Sequence, residues 1–185
     1  IHGVDWLATH RPDTLQAAGA LNEAGGVSVE LAGRRFYPIG VAEKGFEVFR
    51  ITVDGTWGHG SMPRDDNALV LAAEAVRRLA TPGEARVTAP IREFLDGIAA
   101  ALPPEQAELV HAIGGDDPRR SEAAIRTLCD PVAARAIRAL LRDTISPGTL
   151  HAGVKYNVIP GEAVLEIDCR TLPGTTPDDA REEVK

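Results

Sequence analysis

Alternation of apolar and polar residues predicts two half-buried strands, one in the middle of the chain and one near its end. The first runs from Phe46 to Asp54, where apolar side chains take every second position from Phe49 onward. The second runs from Ala163 to Thr171 and has one apolar face. Its opposite face carries Glu166, Asp168 and Arg170. This pattern predicts a sheet that is covered on one side.

Weaker strand signals surround these two. Two short runs, 27–31 and 34–42, flank Ala32-Gly33 and predict a hairpin with a two-residue turn. A run from Leu150 to Ile159, followed by a turn, predicts the strand before the last one. A short apolar run at 19–23 predicts one further strand near the N-terminus.

Helical spacing of apolar residues marks the remaining elements. Residues 3–10 predict a short amphipathic helix, and Ala68 to Ala80 predict a longer one directly after the middle strand. Residues 84–146 contain four further amphipathic runs separated by proline and glycine, one of them starting at Ser121, and predict an all-helical insertion. Thr176 begins the last predicted helix.

Without the insertion, the order of elements is β-α-β-β-α. This order predicts an α+β fold, a ferredoxin-like two-layer sandwich whose final strand would follow Lys185. A hinge is expected at residues 43–45. It divides the chain into a strip of an α/β domain at 1–44 and a second domain at 45–185, which contains the insertion 84–146.

Composition narrows the function classes. The 185 residues are 44% hydrophobic and 25% charged, which is typical of a soluble globular protein. A net charge of −7 without a basic stripe argues against a nucleic-acid partner. No apolar run predicts a membrane span or a signal peptide. Cys129 and Cys169 form no C-x-x-C, which disfavours disulfide and zinc-cluster roles and predicts a reducing, cytoplasmic location.

Candidate chemistry is concentrated in a glycine-rich loop, Gly55 to Asn67, between the middle strand and its helix. Glycines flank His59 on both sides, an arrangement that can expose a titratable imidazole. By pattern alone, His59 is either functional or engaged in ordinary turn hydrogen bonds. Ser61 is interpreted as a turn residue or as an acceptor at the helix start. The loop contains no phosphate-binding glycine motif, and the chain contains no H-E-x-x-H or G-x-S-x-G.

Three further polar residues are candidates on weaker grounds. Glu23 ends the run at 19–23, a position where open α/β sheets bind ligands, but one acid cannot hold a divalent ion. Asn157 and Arg170 are predicted on polar strand faces. The guanidinium of Arg170 suits a carboxylate ligand, although a cross-strand pair with a neighbouring acid explains its position equally well.

The histidine loop contains the sequence Gly-His-Gly-Ser-Met-Pro at 58–63. This motif resembles the signature of the dimerisation domain of the M20 family of metallopeptidases and amidohydrolases. Segments 156–163 and 168–173 resemble later parts of this domain, and 20–23 and 41–45 match the stretch before it. The resemblance covers nearly the whole chain except the helical insertion. It implies a ferredoxin-like lid, or dimerisation domain, joined to a fragment of a zinc catalytic domain.

The resemblance also implies a zinc-dependent exopeptidase or amidohydrolase that cleaves an amide or peptide bond next to a free carboxylate. Glu23 would be one metal ligand of a two-zinc centre. The other ligands and the catalytic base would lie outside residues 1–185, so the chain is expected to be a piece of a larger protein. By itself, this piece is expected to bind no zinc and to be inactive.

By the same resemblance, His59 would reach into the partner subunit's active site and stabilise the oxyanion there. Asn157 and Arg170 would bind the substrate's carboxylate or amide. The partners implied are a second copy, bound through the lid domain, and a small peptide or N-acyl amino acid as substrate. Two alternatives stay open. One is a non-catalytic ferredoxin-like module for small-molecule binding or assembly, and the other is a structural dimer unit without a ligand.

Overall fold

A computed structural model gives the fold of the chain over residues 2–19 and 28–185. Glu23 and nearly all of the strand predicted at 19–23 lie outside the described residues. The predicted N-terminal helix is confirmed as α1 (His2–His10), and a 3₁₀ turn follows it at Pro12–Leu15.

The predicted hairpin is formed by two short strands, β1 (Val29–Leu31) and β2 (Arg34–Phe36). Its turn residues, Ala32 and Gly33, have φ angles of 52° and 74°, which match the right-handed twist of the strands. The prediction that the second strand continues to Ala42 is wrong. Pro38 follows β2 and has no amide hydrogen to offer a ladder, and the chain beyond it is exposed.

The remaining elements, in chain order, are β3 (Gly45–Asp54), β4 (Gly58–His59), α2 (Ala68–Leu79), α3 (Ala89–Ala100), α4 (Pro104–Ile113), α5 (Pro118–Leu128), α6 (Pro131–Leu140), β5 (Thr144–Ala152), β6 (Val158–Ile159), β7 (Glu162–Thr171) and α7 (Pro177–Val184). An antiparallel sheet is formed by β3, β7 and β5, with β7 in the middle. A separate antiparallel ladder joins β4 to β6.

The two strongest strand predictions are confirmed in β3 and β7. The apolar face of β7 is buried, and Leu165, Ile167 and Cys169 are each at most 1% exposed. Asp168 and Arg170 lie on the opposite, open face of the sheet. Because successive side chains alternate between faces, a shift of one residue would bury these charges, and the register is therefore well specified.

The strand predicted from Leu150 to Ile159 is wrong in both its bounds and its continuity. β5 begins six residues earlier, at Thr144, and ends at Ala152, because Gly153 has a φ of 73° and turns the chain away. Residues 153–157 form a turn before β6. Asn157 therefore lies at the end of a turn and not on the polar face of a strand.

Four helices fill the predicted insertion, although α5 starts earlier than expected. The start predicted at Ser121 is wrong because Asp117 caps the helix, accepting from the amides of Arg119 and Arg120. The prediction that Asp130 caps the last of these helices is confirmed in α6.

Two separate hydrophobic clusters are found in the described part of the chain. The larger contains buried residues of α3, α4, α5 and α6 together with Leu31 of the hairpin. The smaller joins α2 to the sheet through Ala68, Ala72 and Ala163. The hairpin therefore packs with the helical insertion, whereas α2 covers one face of the sheet. In the described part of the chain, no helix has the length and apolar character needed to cross a membrane.

Candidate functional site

The loop that carries His59 is anchored at both ends. At its start, the Gly55 amide donates to the Gly161 carbonyl at 2.8 Å, and a Cβ at Gly55 would lie 2.1 Å from the Asp66 carbonyl oxygen. Only glycine permits this close approach. At its end, the Asn67 side chain caps α2 by accepting from the Leu69 amide at 3.0 Å. The loop is therefore a defined structure between two rigid elements.

The β4–β6 ladder brings His59 and Asn157 together. His59 is paired with Val158, and the Gly60 amide donates to the Asn157 carbonyl at 2.9 Å. A Cβ at Gly60 would lie 3.3 Å from backbone atoms of Asn157, so the two chain segments are in close contact. The structure thus places two of the predicted site residues side by side.

The His59 ring is exposed and is held by Ser61. The distance between His59 Nδ1 and Ser61 Oγ is 2.8 Å, and the Ser61 amide donates to the same nitrogen at 3.2 Å. Among the described residues, Nε2 has no hydrogen-bond partner. The ring therefore has one fixed edge, and its other nitrogen can reach a ligand.

Asn157 carries an unusual polar atom. Its side-chain Oδ1 is buried and has no hydrogen-bond partner within the described part of the chain. A buried acceptor without a donor costs about 1–3 kcal/mol. A buried polar atom without a hydrogen-bond partner requires an explanation in a native fold, and a functional role is one such explanation.

Arg170 lies elsewhere. Its guanidinium forms a two-pronged pair with Asp168, at 2.7 and 3.0 Å, and stacks 4.2 Å from the centroid of the Phe46 ring. The hydrogen bonds from Arg170 hold the pKa of the Asp168 carboxyl below its usual value. The acid is on the same strand as Arg170, so the expected cross-strand pair is replaced by an i, i+2 pair.

Arg170 and the His59 loop are at opposite ends of the sheet. Arg170 is paired with Phe46 near the start of β3, whereas the loop adjoins the first residues of β7. The length of β7 between them is about 26 Å, at about 3.3 Å per residue. The structure does not bring Arg170 together with His59 and Asn157 within one chain.

A metal centre is not found in the described part of the chain. Residues 2–19 and 28–185 contain no group of three or more His, Cys, Asp or Glu side chains that could hold an ion. Glu23, the predicted ligand, is outside these residues and stays a prediction.

Sequence reasoning missed two residues that organise the site and its surroundings. Ser61 was assigned to the turn or the helix start, and nothing in its spacing from His59 indicated that it orients the ring. Lys44 was assigned only to a hinge. Its Nζ donates to the carbonyls of Ala139 and Arg142 at 2.9 and 2.8 Å, at the end of α6. Burial lowers the pKa of the Lys44 ammonium, although nearby Asp143 opposes this shift.

The described part of the chain is a mixed α/β module that displays an exposed histidine on an anchored loop and has no metal cluster of its own. Residues 41–185 match the family model of the M20 peptidase dimerisation domain. The chain therefore belongs to the M20 family, and this region is its dimerisation domain.

Two named relatives are consistent with this assignment. The chain is 28% identical over 152 residues to the probable carboxypeptidase S-like 2 of Dictyostelium discoideum, covering 79% of this chain and 27% of that protein. It is 29% identical over 145 residues to the N-fatty-acyl-amino acid synthase/hydrolase PM20D1 of Xenopus tropicalis, covering 75% of this chain and 26% of that protein. The matched region thus spans about a quarter of each curated relative.

The fold is similar to that of the M20 family metallo-carboxypeptidase Sso-CP2 from Sulfolobus solfataricus. The TM-score is 0.52 at 19% sequence identity, and the match covers 97% of this chain and 47% of that chain. At this identity the likeness concerns the fold alone. It confirms the predicted mixture of helices and sheet.

Proposed function

We propose that this chain is the lid and dimerisation part of a zinc-dependent exopeptidase or amidohydrolase that acts on an amide next to a free carboxylate. The observation that carries the proposal is the exposed His59 ring, held beside Asn157 on an anchored loop. A hydrogen-bond donor fixed in this way can stabilise the oxyanion of a neighbouring active site. The names of the two relatives support a peptide or an N-acyl amino acid as substrate.

The distance between Arg170 and His59 supports an active site shared by two subunits. Arg170 is beside Phe46, immediately after the junction at residues 43–45, whereas His59 and Asn157 lie at the far end of the sheet. In a two-fold homodimer, Arg170 would bind substrate in one active site while His59 and Asn157 reach the partner's. That about 26 Å of β7 lies between them is then a consequence of the assembly.

The proposed contact between the two copies includes a groove between α2 and the turn at 153–157. Its walls carry exposed apolar side chains: Val70 is 60% exposed, Val154 84% and Tyr156 97%. Contiguous exposed apolar surface marks sites of association, and this surface adjoins the His59 loop. Tyr156→Asp is expected to dissociate the dimer in sedimentation velocity, whereas Leu15→Asp, at an exposed site in the N-terminal segment, is expected to leave it intact.

The zinc ions of the proposed enzyme would be held by residues outside the described ranges, with Glu23 as the one ligand that this chain contributes. The described residues do not fit a metal centre. The proposed role of the described residues is to bind and orient the substrate and to donate a hydrogen bond. We also propose that the 185-residue chain alone catalyses no hydrolysis.

We further propose that the lid is ferredoxin-like. The sheet order β3-β7-β5, with α2 packed on one face, is compatible with that sandwich. In this proposal residues 45–185 form the lid with its insertion 84–146, and residues 1–44 belong to the catalytic domain.

Complementation between two variants of the whole protein tests the shared active site. His59→Ala is expected to lower kcat about 100- to 1,000-fold, the cost of one oxyanion donor, with metal content and dimer unchanged. Glu23→Ala is expected to lose metal. On mixing, half of the dimers are heterodimers with one intact site of two, so turnover returns to about a quarter of wild type.

His111→Ala, at an exposed position of α4, is the matched control and should keep full activity. Full activity of His59→Ala would remove His59 from the site. If both parents are inactive and mixing restores nothing, the active site is not shared between subunits. If the whole protein hydrolyses no peptide or N-acyl amino acid, the non-catalytic binding module replaces the enzyme.

A further inference from the structure

The contacts between His59 and Ser61 determine which ring nitrogen carries the proton. A neutral imidazole has one protonated nitrogen, which donates, and one bare nitrogen, which accepts. The backbone amide of Ser61 always donates, and it points at His59 Nδ1 from 3.2 Å. A proton on Nδ1 would face this amide hydrogen directly. Nδ1 is therefore the bare nitrogen.

The Ser61 hydroxyl adds to this preference. Its oxygen lies 2.8 Å from Nδ1, a normal distance for a hydroxyl that donates to a ring nitrogen. A hydroxyl can also accept a hydrogen bond from a protonated Nδ1. That arrangement is excluded here because the Ser61 backbone amide donates a hydrogen bond to the same nitrogen. Both Ser61 donors thus converge on one acceptor.

With Nδ1 bare, the proton of the neutral ring is on Nε2, which has no partner among residues 2–19 and 28–185. Nε2 is then a hydrogen-bond donor on an exposed residue, at the nitrogen that Ser61 does not contact. A neutral ring in the other tautomer would present an acceptor, which repels an oxyanion.

We propose that Ser61 is a positioning residue that fixes His59 in the Nε2–H tautomer, so that the ring presents a donor before any ligand binds. The inference rests on the proposed function only for its catalytic consequence. The tautomer itself is a property of this chain. Preorganisation of this kind removes the need to reorient a donor during the reaction.

Nitrogen-15 NMR of the imidazoles in this chain tests the tautomer without any assay of activity. Spectra are recorded at alkaline pH, where imidazoles are neutral, and the His59 signals are assigned by their loss in His59→Gln. The expected result is a protonated Nε2 and a bare Nδ1. A protonated Nδ1 in the wild-type chain would overturn the proposal.

Ser61→Ala removes the hydroxyl but keeps the amide. Because one hydrogen bond contributes about 1 kcal/mol, the ratio of the two tautomers is expected to shift about 3- to 10-fold toward Nδ1–H. Ser61→Thr retains a hydroxyl and should restore the wild-type ratio. Ser146→Ala, on the open face of the sheet, is the control and should change nothing. An unchanged ratio in Ser61→Ala would show that the hydroxyl does not position the ring.

The same variants in the whole protein connect the tautomer to turnover. Ser61→Ala is expected to lower kcat about 3- to 10-fold with KM changed less than about twofold, because the donor acts mainly in the transition state. A tautomer shift with unchanged kcat would contradict the oxyanion role and leave the positioning role intact. Loss of activity in His59→Ala, with an unchanged tautomer ratio in Ser61→Ala, would contradict the positioning role alone.

Discussion

Asn157 allows a structural role and a functional role to be separated at a single residue. The buried Oδ1 of Asn157 has no partner in the described part of the chain, so Asn157→Ala removes an unsatisfied group and not a hydrogen bond. We expect the free energy of unfolding of this chain, measured in urea, to change by less than about 0.5 kcal/mol or to rise. In the whole protein, kcat/KM is expected to fall at least about tenfold.

Asn67→Ala is the comparison for this experiment. It removes the cap of α2 and is expected to cost about 1 kcal/mol of stability. A comparable loss in Asn157→Ala would show that the Asn157 side chain stabilises the fold, which contradicts the reading of its oxygen as unpaired.

Gly60 controls the contact between the histidine loop and the Asn157 turn. In Gly60→Ala the new Cβ would lie 3.3 Å from backbone atoms of Asn157, and backbone cannot rotate away as a side chain can. We expect the bond between the Gly60 amide and the Asn157 carbonyl to weaken, at a cost of about 0.5–1.5 kcal/mol in urea unfolding. Gly97→Ala, in α3 with open space around it, should instead gain about 1 kcal/mol.

At the scale of single residues, the sequence predicted the features that are determined by neighbouring residues in the chain. Flanking glycines predicted an exposed His59, and the structure confirms the exposure. Ser61 was missed because its bond to the ring depends on how the loop closes, which composition does not encode. The roles of His59, Asn157 and Arg170 in catalysis stay predictions.

At the scale of elements, Glu122 joins two helices of the insertion. Its carboxylate binds Arg138 of α6 at 2.7 Å and Arg126 of its own helix at 2.7 Å. Hydrogen bonds from Arg138, and then from Arg126, lower the pKa of Glu122 from 4.5 to about 2. Since the folded pKa is the lower one, the pair stabilises the fold above pH 4.5, and this stabilisation is lost as the pH falls toward 2.

We therefore expect Glu122→Gln to be less stable than wild type at neutral pH and equal to it near pH 2. The difference should be at most about 1 kcal/mol, because solvent screens a pair whose side chains are 33% and 36% exposed. Urea unfolding as a function of pH measures it. Glu93→Gln, on an exposed part of α3, should show no such change. A constant difference down to pH 2 would contradict the assignment.

The strands could be predicted from the sequence to the extent that each has a clear local pattern of apolar and polar residues. Alternation identified β3 and β7 because each strand is buried on one face along its whole length. β5 was misplaced because its early residues, from Thr144, are held by pairing with β7, a non-local contact that leaves little pattern in the sequence. The turn at Gly153 interrupted a run that otherwise looked continuous.

At the scale of the whole molecule, the helical insertion connects the segment before the sheet to the sheet itself. Leu31 of the hairpin is buried in the insertion core, and the Ala32 amide donates to the Leu128 carbonyl at 3.4 Å. Lys44, immediately before β3, binds carbonyls at the end of α6. Lys44 of the expected hinge and the hairpin before it are thus both fastened to the insertion, an arrangement that no local sequence pattern predicted.

Leu31→Ala tests whether the hairpin and the insertion form one cooperative unit. Leu31 is 2% exposed, so its truncation should cost about 2–5 kcal/mol. Because Leu31 belongs to the cluster of α3–α6 and not to that of α2 and the sheet, hydrogen exchange should accelerate mainly in those four helices. The amides of β7 should keep their protection, and Leu15→Ala, 47% exposed, should leave every helix unchanged. Equal acceleration in β7 would mean that the two clusters unfold together, and the insertion would then be part of a single cooperative core.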